Sequence, residues 1–430
     1  MKTLITNAYV LDMVGNTANI QQKDIIINNN IIEKIDNNLK QNNEEYYKII
    51  DAKNMLVMPG LINTHTHLAM SIFRGHKTDK KLVNWLENAI FPVEEKLSSE
   101  DIYWNSYITC LEMIKSGTTT CNDAYFRMDK TVEAIRDVGM RAIVAWCIKD
   151  DSIKNKPEKT REFAKKYNND INSKIKICVS ADAPHTCNPE TIKLCVDLAK
   201  ELGTNLHIHL SETLDEESKV EDKYHKRSTE YLKDLDVFKV PVVLAHGIYI
   251  NDDDINILKN IKGGISHNPI SNYQISSGTC DVEKLKKNGI TIGLGTDGIN
   301  NNTTMDMFEE MKWAAFLQQN NSIDSKEILA YDILRMATID GAKLLGMEDQ
   351  IGSIEEGKKA DMIFIKNEKF DYSNPNDICN TLVYYINGAD VNSVMIDGEL
   401  IMQERKMINI NEKNVMKQVK KIAKRLVWCY

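Results

Sequence analysis

From Gly60 to about Asp349 the chain alternates short apolar runs with longer segments whose apolar residues recur every three or four positions. The short runs suit strands, and the longer period suits helices that bury one face. Eight strands are predicted, at residues 61–65, 118–123, 142–148, 175–181, 205–210, 242–246, 264–267 and 291–296. Helical segments such as PETIKLCVDLAKELG and DVEKLKKNG lie between them. Several close on glycine, which takes the left-handed conformation of a helix C-cap. Strands alternating with helices make a parallel sheet, and eight such units match a (β/α)8 barrel, which takes about 250 residues plus insertions. The insertions fall at 71–95 and 214–236.

The flanks have a different texture. Residues 1–58 carry β-rich runs broken by asparagines, with Asn29-Asn30 between two isoleucine runs as a hairpin turn, because Asn tolerates left-handed backbone angles. Residues 351–430 return to β pattern and end in a lysine-rich helix near 412–427. Neither flank can bury a face alone. The two are expected to combine into one small β-sandwich beside the barrel at 59–350, giving an α/β TIM-barrel protein with a second, smaller domain.

Composition narrows this only a little. The apolar fraction of 42%, the charged fraction of 27% and a net charge of −8 describe an ordinary globular protein without attraction for nucleic acid or anionic membranes. Nine cysteines include no Cys-x-x-Cys pair, which suits reduced, buried thiols. The N-terminus lacks a signal-peptide pattern and no run approaches spanning length, so a cytoplasmic location is expected.

Histidines change the picture. In a barrel of this kind chemistry gathers where the strands end. Strand one ends in His65-Thr66-His67, two imidazoles on one face about 7 Å apart along the strand. Strand four leads into His185, strand five carries His207 and His209 and runs on to Glu212, strand six ends at His246, strand seven at His267, and strand eight leads to Asp297. Seven of the nine histidines sit at strand ends, a distribution that core packing does not produce and a metal-centred site does.

The motifs PGLINTHTH, HIHLSE, LAHG, SHNP and GLGTDG, in that order, resemble the amidohydrolase superfamily over nearly the whole length. Trp85 and Glu94 in NWLENAIFPVE, His185 in APHTC, and TDGINNNTTMDMFEEMK resemble its 5′-methylthioadenosine/S-adenosylhomocysteine deaminase branch. That resemblance implies one Zn²⁺ or Fe²⁺ per chain held by His65, His67, His209 and Asp297. A second metal is not expected, because strand four has lysines only at its beginning, where a bridging carboxylated lysine would be out of reach. His207 is expected to turn away from the site, or to pack beneath it, in a structural role.

The resemblance also implies roles. Asp297 accepts the proton of the attacking water, His246 orients the resulting hydroxide, and Glu212 protonates the purine ring nitrogen N1 while C6 is attacked. Glu94 binds the ribose hydroxyls, Trp85 lines the adjoining pocket and His185 meets the adenine edge. The implied activity is hydrolytic deamination of 5′-methylthioadenosine, S-adenosylhomocysteine or adenosine, with a small nucleoside as the partner and a homo-oligomer left open. One departure stands out. Strand three carries Trp146 where the family often places an arginine for the homocysteine carboxylate. A Trp makes no bidentate fork, so Arg161 or Lys149 is the nearest substitute, and 5′-methylthioadenosine and adenosine are expected to outrank S-adenosylhomocysteine. The alternatives are a guanine, pterin or triazine amidohydrolase, which has no ribose for Glu94 to bind, and a non-catalytic metal-binding barrel, which has no need of Glu212 and His246. A cytidine-deaminase zinc site is excluded by the absence of Pro-Cys-x-x-Cys.

Overall fold

The structure is a computed structural model, and it describes residues 1–41, 45–75, 88, 90–152, 154–170, 173–321, 328–366, 370 and 374–426. Two sheets organise it. Strands β1 (Lys2–Leu11), β2 (Ile20–Asn28), β3 (Ile31–Asp36), β4 (Lys48–Asp51) and β5 (Leu56–Pro59) precede the barrel. The barrel is built from β6 (Leu61–Thr66), β7 (Thr118–Tyr125), β8 (Arg141–Ile148), β9 (Ile175–Ala181), β10 (Leu206–Leu210), β11 (Val242–His246), β12 (Gly263–His267) and β13 (Thr291–Leu294). Four more strands follow it: β14 (Met362–Ile365), β15 (Val391–Ile396), β16 (Glu399–Gln403) and β17 (Lys406–Met407).

The eight barrel strands lie side by side in sequence order and are all parallel. The seam between first and last is closed near the strand ends, where Asp297 N–H donates to the His65 carbonyl at 2.9 Å and Thr66 bridges to Asp297. Side chains reinforce the seam: Asn63 Nδ2 donates to Thr296 Oγ1 at 2.7 Å, and Thr64 Oγ1 to the Leu294 carbonyl at 2.9 Å. Inward apolar residues Ile62, Ala124, Ile143, Ala145, Cys178 and Val243 pack with Leu344, Leu345 and Ile351, so the interior is filled.

Strands from the two chain ends join in one nine-stranded mixed sheet. Its path runs β17-β16-β15-β14-β5-β1-β2-β3, with β4 also on β1, and β5 is the seam, parallel to β1 and antiparallel to β14. The expected hairpin forms, with Asn29 at φ 55°. Arg141, buried at the start of β8, ties this sheet to the barrel through a two-pronged pair with Asp361 (2.6 and 3.0 Å) and a third bond to Asp397 (2.8 Å). Eight cysteines among the described residues are buried and unpaired. No helix among the described residues is long and apolar enough to cross a membrane.

Candidate active site

The strand ends converge on a cavity of about 880 Å³ whose wall includes His67, Glu94, His185, Glu212, His246 and Asp297. His65 lies fully buried among them, its ring centroid 4.8 Å from that of His67 and 5.1 Å from that of His209. Trp85 lies outside the described residues.

The anchoring of the imidazoles decides which nitrogen faces inward. His67 Nδ1 lies 2.6 Å from the Ala124 carbonyl at the end of β7, and His209 Nδ1 lies 2.7 Å from the Asp182 carbonyl just past β9. A carbonyl only accepts, so each Nδ1 carries the proton and each Nε2 keeps its lone pair. His65 Nδ1 is 2.9 Å from His207 Nε2, and His65 Nε2 is aimed inward without a good hydrogen-bond partner among the described residues. Burial drives the pKa of His65 well below the usual histidine value and lowers that of His67, so both rings stay neutral.

Asp297 faces these nitrogens. Its Oδ1 is 3.5 Å from His65 Nε2 and 3.3 Å from His67 Nε2. Ser271 Oγ donates to its Oδ2 at 2.7 Å and Gly298 N–H to its Oδ1 at 2.6 Å, both of which favour the carboxylate. Burial opposes that charge, and His65, within hydrogen-bond reach, is the largest influence holding the pKa well below the usual carboxylate value. The lone pair of His67 Nε2 thus faces a carboxylate oxygen at 3.3 Å with no proton between them. That arrangement is repulsive until a cation enters. Three overlapping triplets (His65, His67, Asp297; His65, His209, His246; Glu212, His246, Asp297) each bring ligand atoms within 4.8 Å of one another. Three imidazole nitrogens and a carboxylate suit a divalent metal ion.

Next to this cradle lies a proton-handling pair. His246 Nδ1 donates to Asn272 Oδ1 at 2.8 Å, which turns its Nε2 toward Glu212 Oε2 at 3.6 Å. Burial, with a smaller contribution from the Asp297 charge, pushes the Glu212 carboxyl up to about 7. The backbone under these groups is strained. Ser211, His246 and Asp297 have φ of 52°, 77° and 60°, a left-handed geometry that costs about 1–2 kcal/mol per L-residue. Gly295 is needed for its size, since a Cβ there would lie 2.9 Å from the backbone nitrogen of His65 and 2.5 Å from Asn268 Oδ1.

A profile of the Amidohydrolase family matches residues 56–401. The chain belongs to that family. Within it, the chain is 41% identical over 383 residues to a 5-methylthioadenosine/S-adenosylhomocysteine deaminase of Caldanaerobacter subterraneus subsp. tengcongensis, covering 88% of each. It is 37% identical over 430 residues to a 5'-deoxyadenosine deaminase of Methanosarcina mazei, covering 99% of this chain and 98% of that one. In structure it resembles a zinc-bound adenosine deaminase from Xanthomonas campestris, with a TM-score of 0.93, 26% identity, and coverage of 99% and 98%.

Two expectations for this amidohydrolase need correcting, and one pair of alternatives is decided. His207 takes the second of its two expected places: on a strand, positions 207 and 209 share a face, and His207 sits beneath the cradle against His65. Trp146 does not line the cavity, because it packs on the outer face of β8 against the Phe163 ring at 4.6 Å. Arg161 is on the exterior too, paired with Glu201 and Glu158. Lys149, the other substitute, does line the cavity, 3.2 Å from Asp182 Oδ2 and 5.2 Å from the Phe126 centroid. The preference for 5′-methylthioadenosine over S-adenosylhomocysteine rested on Trp146 and loses its basis.

His185 lies in the wall with burial lowering its pKa to about 4, so it meets a ligand as neutral imidazole. Sequence reasoning missed the anchors: Ala124 O, Asp182 O, Ser271 and Asn272. No motif marks a backbone carbonyl, although Ser271 and Asn272 lie two and three residues past the SHNP motif.

Proposed function

We propose that this amidohydrolase removes the 6-amino group of adenine nucleosides by hydrolysis, giving the inosine analogue and ammonia, with one divalent ion per chain, Zn²⁺ or Fe²⁺, on His65, His67, His209 and Asp297. The observation that carries it is the inward trio of imidazole nitrogens beside Asp297, with Glu212 and His246 at its edge. The deaminase names of relatives at 37–41% identity support the same reading.

A bound divalent ion would supply an acidified water, its pKa brought from 15.7 to about 7 in the best cases. Asp297, fixed by Ser271 and Gly298, takes a proton from the attacking water. His246, fixed by Asn272, holds the attacking oxygen. Glu212, raised to about 7 by burial, gives a proton to ring N1 as C6 turns tetrahedral and handles the proton that makes ammonia the leaving group. Glu94 accepts the ribose hydroxyls, which favours a nucleoside over a free base or a triazine. His185 meets the adenine edge.

The test is a panel of 5′-methylthioadenosine, S-adenosylhomocysteine, adenosine, adenine, guanine and a chlorotriazine, read by ammonia and chloride release. Turnover confined to the adenine nucleosides is expected. Turnover of guanine or the triazine with none of the nucleosides overturns the reading.

A further inference from the structure

The last two residues of β7 face both ends of the cavity. Ala124 accepts from His67 Nδ1 at 2.6 Å and so sets one imidazole of the cradle. Its neighbour Tyr125 is buried, with its ring centroid 6.3 Å from that of His67, and its hydroxyl donates to Glu94 Oε1. Glu94 comes from the short helix Phe91–Glu94, far from any barrel strand in sequence. Among the described residues, the Tyr125 hydroxyl is the one hydrogen-bond donor found on its carboxylate.

We propose that Tyr125 is a positioning residue for the sugar. By holding Glu94 Oε1 it leaves Oε2 for the ribose hydroxyls and fixes their distance from the metal cradle. The end of β7 then acts as a ruler between the reacting carbon and the ribose, and makes the enzyme selective for ribonucleosides over 2′-deoxynucleosides. This rests on the reading of Glu94 as the ribose-binding carboxylate.

Physical chemistry agrees with the placement. Burial raises the Glu94 carboxyl, and the Tyr125 hydroxyl is the largest influence in the opposite direction, with Lys149 next and Arg127 minor. Burial and the Glu94 charge also hold the Tyr125 phenol well above its ordinary pKa, so it remains a donor. A carboxylate with one oxygen taken retains lone pairs for two vicinal hydroxyls. Without its tether the same group can rotate about its own side-chain torsions, which are broad at the carboxyl end.

The experiment compares 5′-methylthioadenosine with its 2′-deoxy counterpart on metal-loaded wild type, Tyr125→Phe and Glu94→Gln, with metal content measured on each. Wild type is expected to prefer the ribonucleoside by about 10-fold or more in kcat/KM, the scale of one hydrogen bond to a charged group. Tyr125→Phe should keep its metal, raise KM for the ribonucleoside by about 10-fold with kcat within about 3-fold, and bring the two substrates level. If wild type discriminates and Glu94→Gln does not, yet Tyr125→Phe keeps the full preference, the role of Tyr125 is wrong and that of Glu94 stands. Loss of metal, or a fall in kcat at unchanged KM, in Tyr125→Phe also overturns the proposal. A wild type indifferent to the 2′-hydroxyl overturns the Glu94 reading itself.

Discussion

The two ends of the cavity are built differently. At the metal end the four imidazoles and Asp297 are each held from behind by a second group: His67 by Ala124 O, His209 by Asp182 O, His65 by His207, His246 by Asn272, and Asp297 by Ser271. At the other end, proposed to take the nucleoside, the supports thin out. His185 Nδ1 is buried without a hydrogen-bond partner among the described residues, and Glu94 leans on Tyr125. The metal end is assembled before anything binds, which suits a site that must hold neutral lone pairs against a carboxylate. That end is set by loops, the part of a fixed barrel scaffold on which substrate choice varies.

The first way to break this contrast is to remove a ligand. His209→Ala should lose the metal and bring turnover to background, a larger fall than any loss of a proton-handling group; elemental analysis beside ammonia release checks it. Retained metal with ordinary turnover places the cradle elsewhere. Next in size is Glu212→Gln, which should keep the metal and lose roughly 10²–10⁴-fold in rate, the usual weight of a general acid–base group. Steady-state kinetics within a few-fold of wild type would remove Glu212 from the proton path.

A smaller effect sharpens the claim about rear supports. His207→Ala touches no ligand atom, yet it frees His65 to turn. Loss of such a support typically costs about 10–100-fold in metal affinity, and competition against a chelator measures it. Unchanged affinity means the anchoring is incidental. The smallest effect concerns the layer behind Asp297. Glu310 is fully buried and accepts from Asn302 Nδ2 and Ile270 N–H, and burial raises its carboxyl to about 8. Its folded pKa exceeds the ordinary 4.5, so its contribution to stability is fully present below about 4.5 and is lost as pH rises through about 8. Wild type should therefore lose stability to urea between pH 6 and pH 9, and Glu310→Gln should lose less. Equal slopes would show that Glu310 ionises freely.

The same contrast explains what the sequence discloses. Strands ending in His65, His209 and His246 are legible because a two-residue period and a turn fix both face and depth. The joining of the two flanks is legible because neither can bury a face alone, but the single mixed sheet through β5 and β14, where a sandwich is expected, is not. Position 146 shows the limit. Its face depends on which residue of β8 points inward, and Ala145, Cys147 and Lys149 take the inner face, leaving Trp146 to Phe163. His207 was open to the same parity argument and belongs inside. Supports supplied by backbone carbonyls, such as Ala124 and Asp182, have no side-chain signature at all. Tyr125 has one only after Glu94 is placed, because their meeting depends on where a loop helix lands.

The central claim is that three imidazole lone pairs and Asp297 form one cradle for one catalytic ion. Elemental analysis of the purified protein, with ammonia release from 5′-methylthioadenosine followed on the same sample as metal is stripped and returned, tests it most directly. The expected result is one divalent ion per chain, with activity falling and recovering in proportion to occupancy. Two tightly held ions both required for turnover, or full activity in the stripped protein, would contradict it.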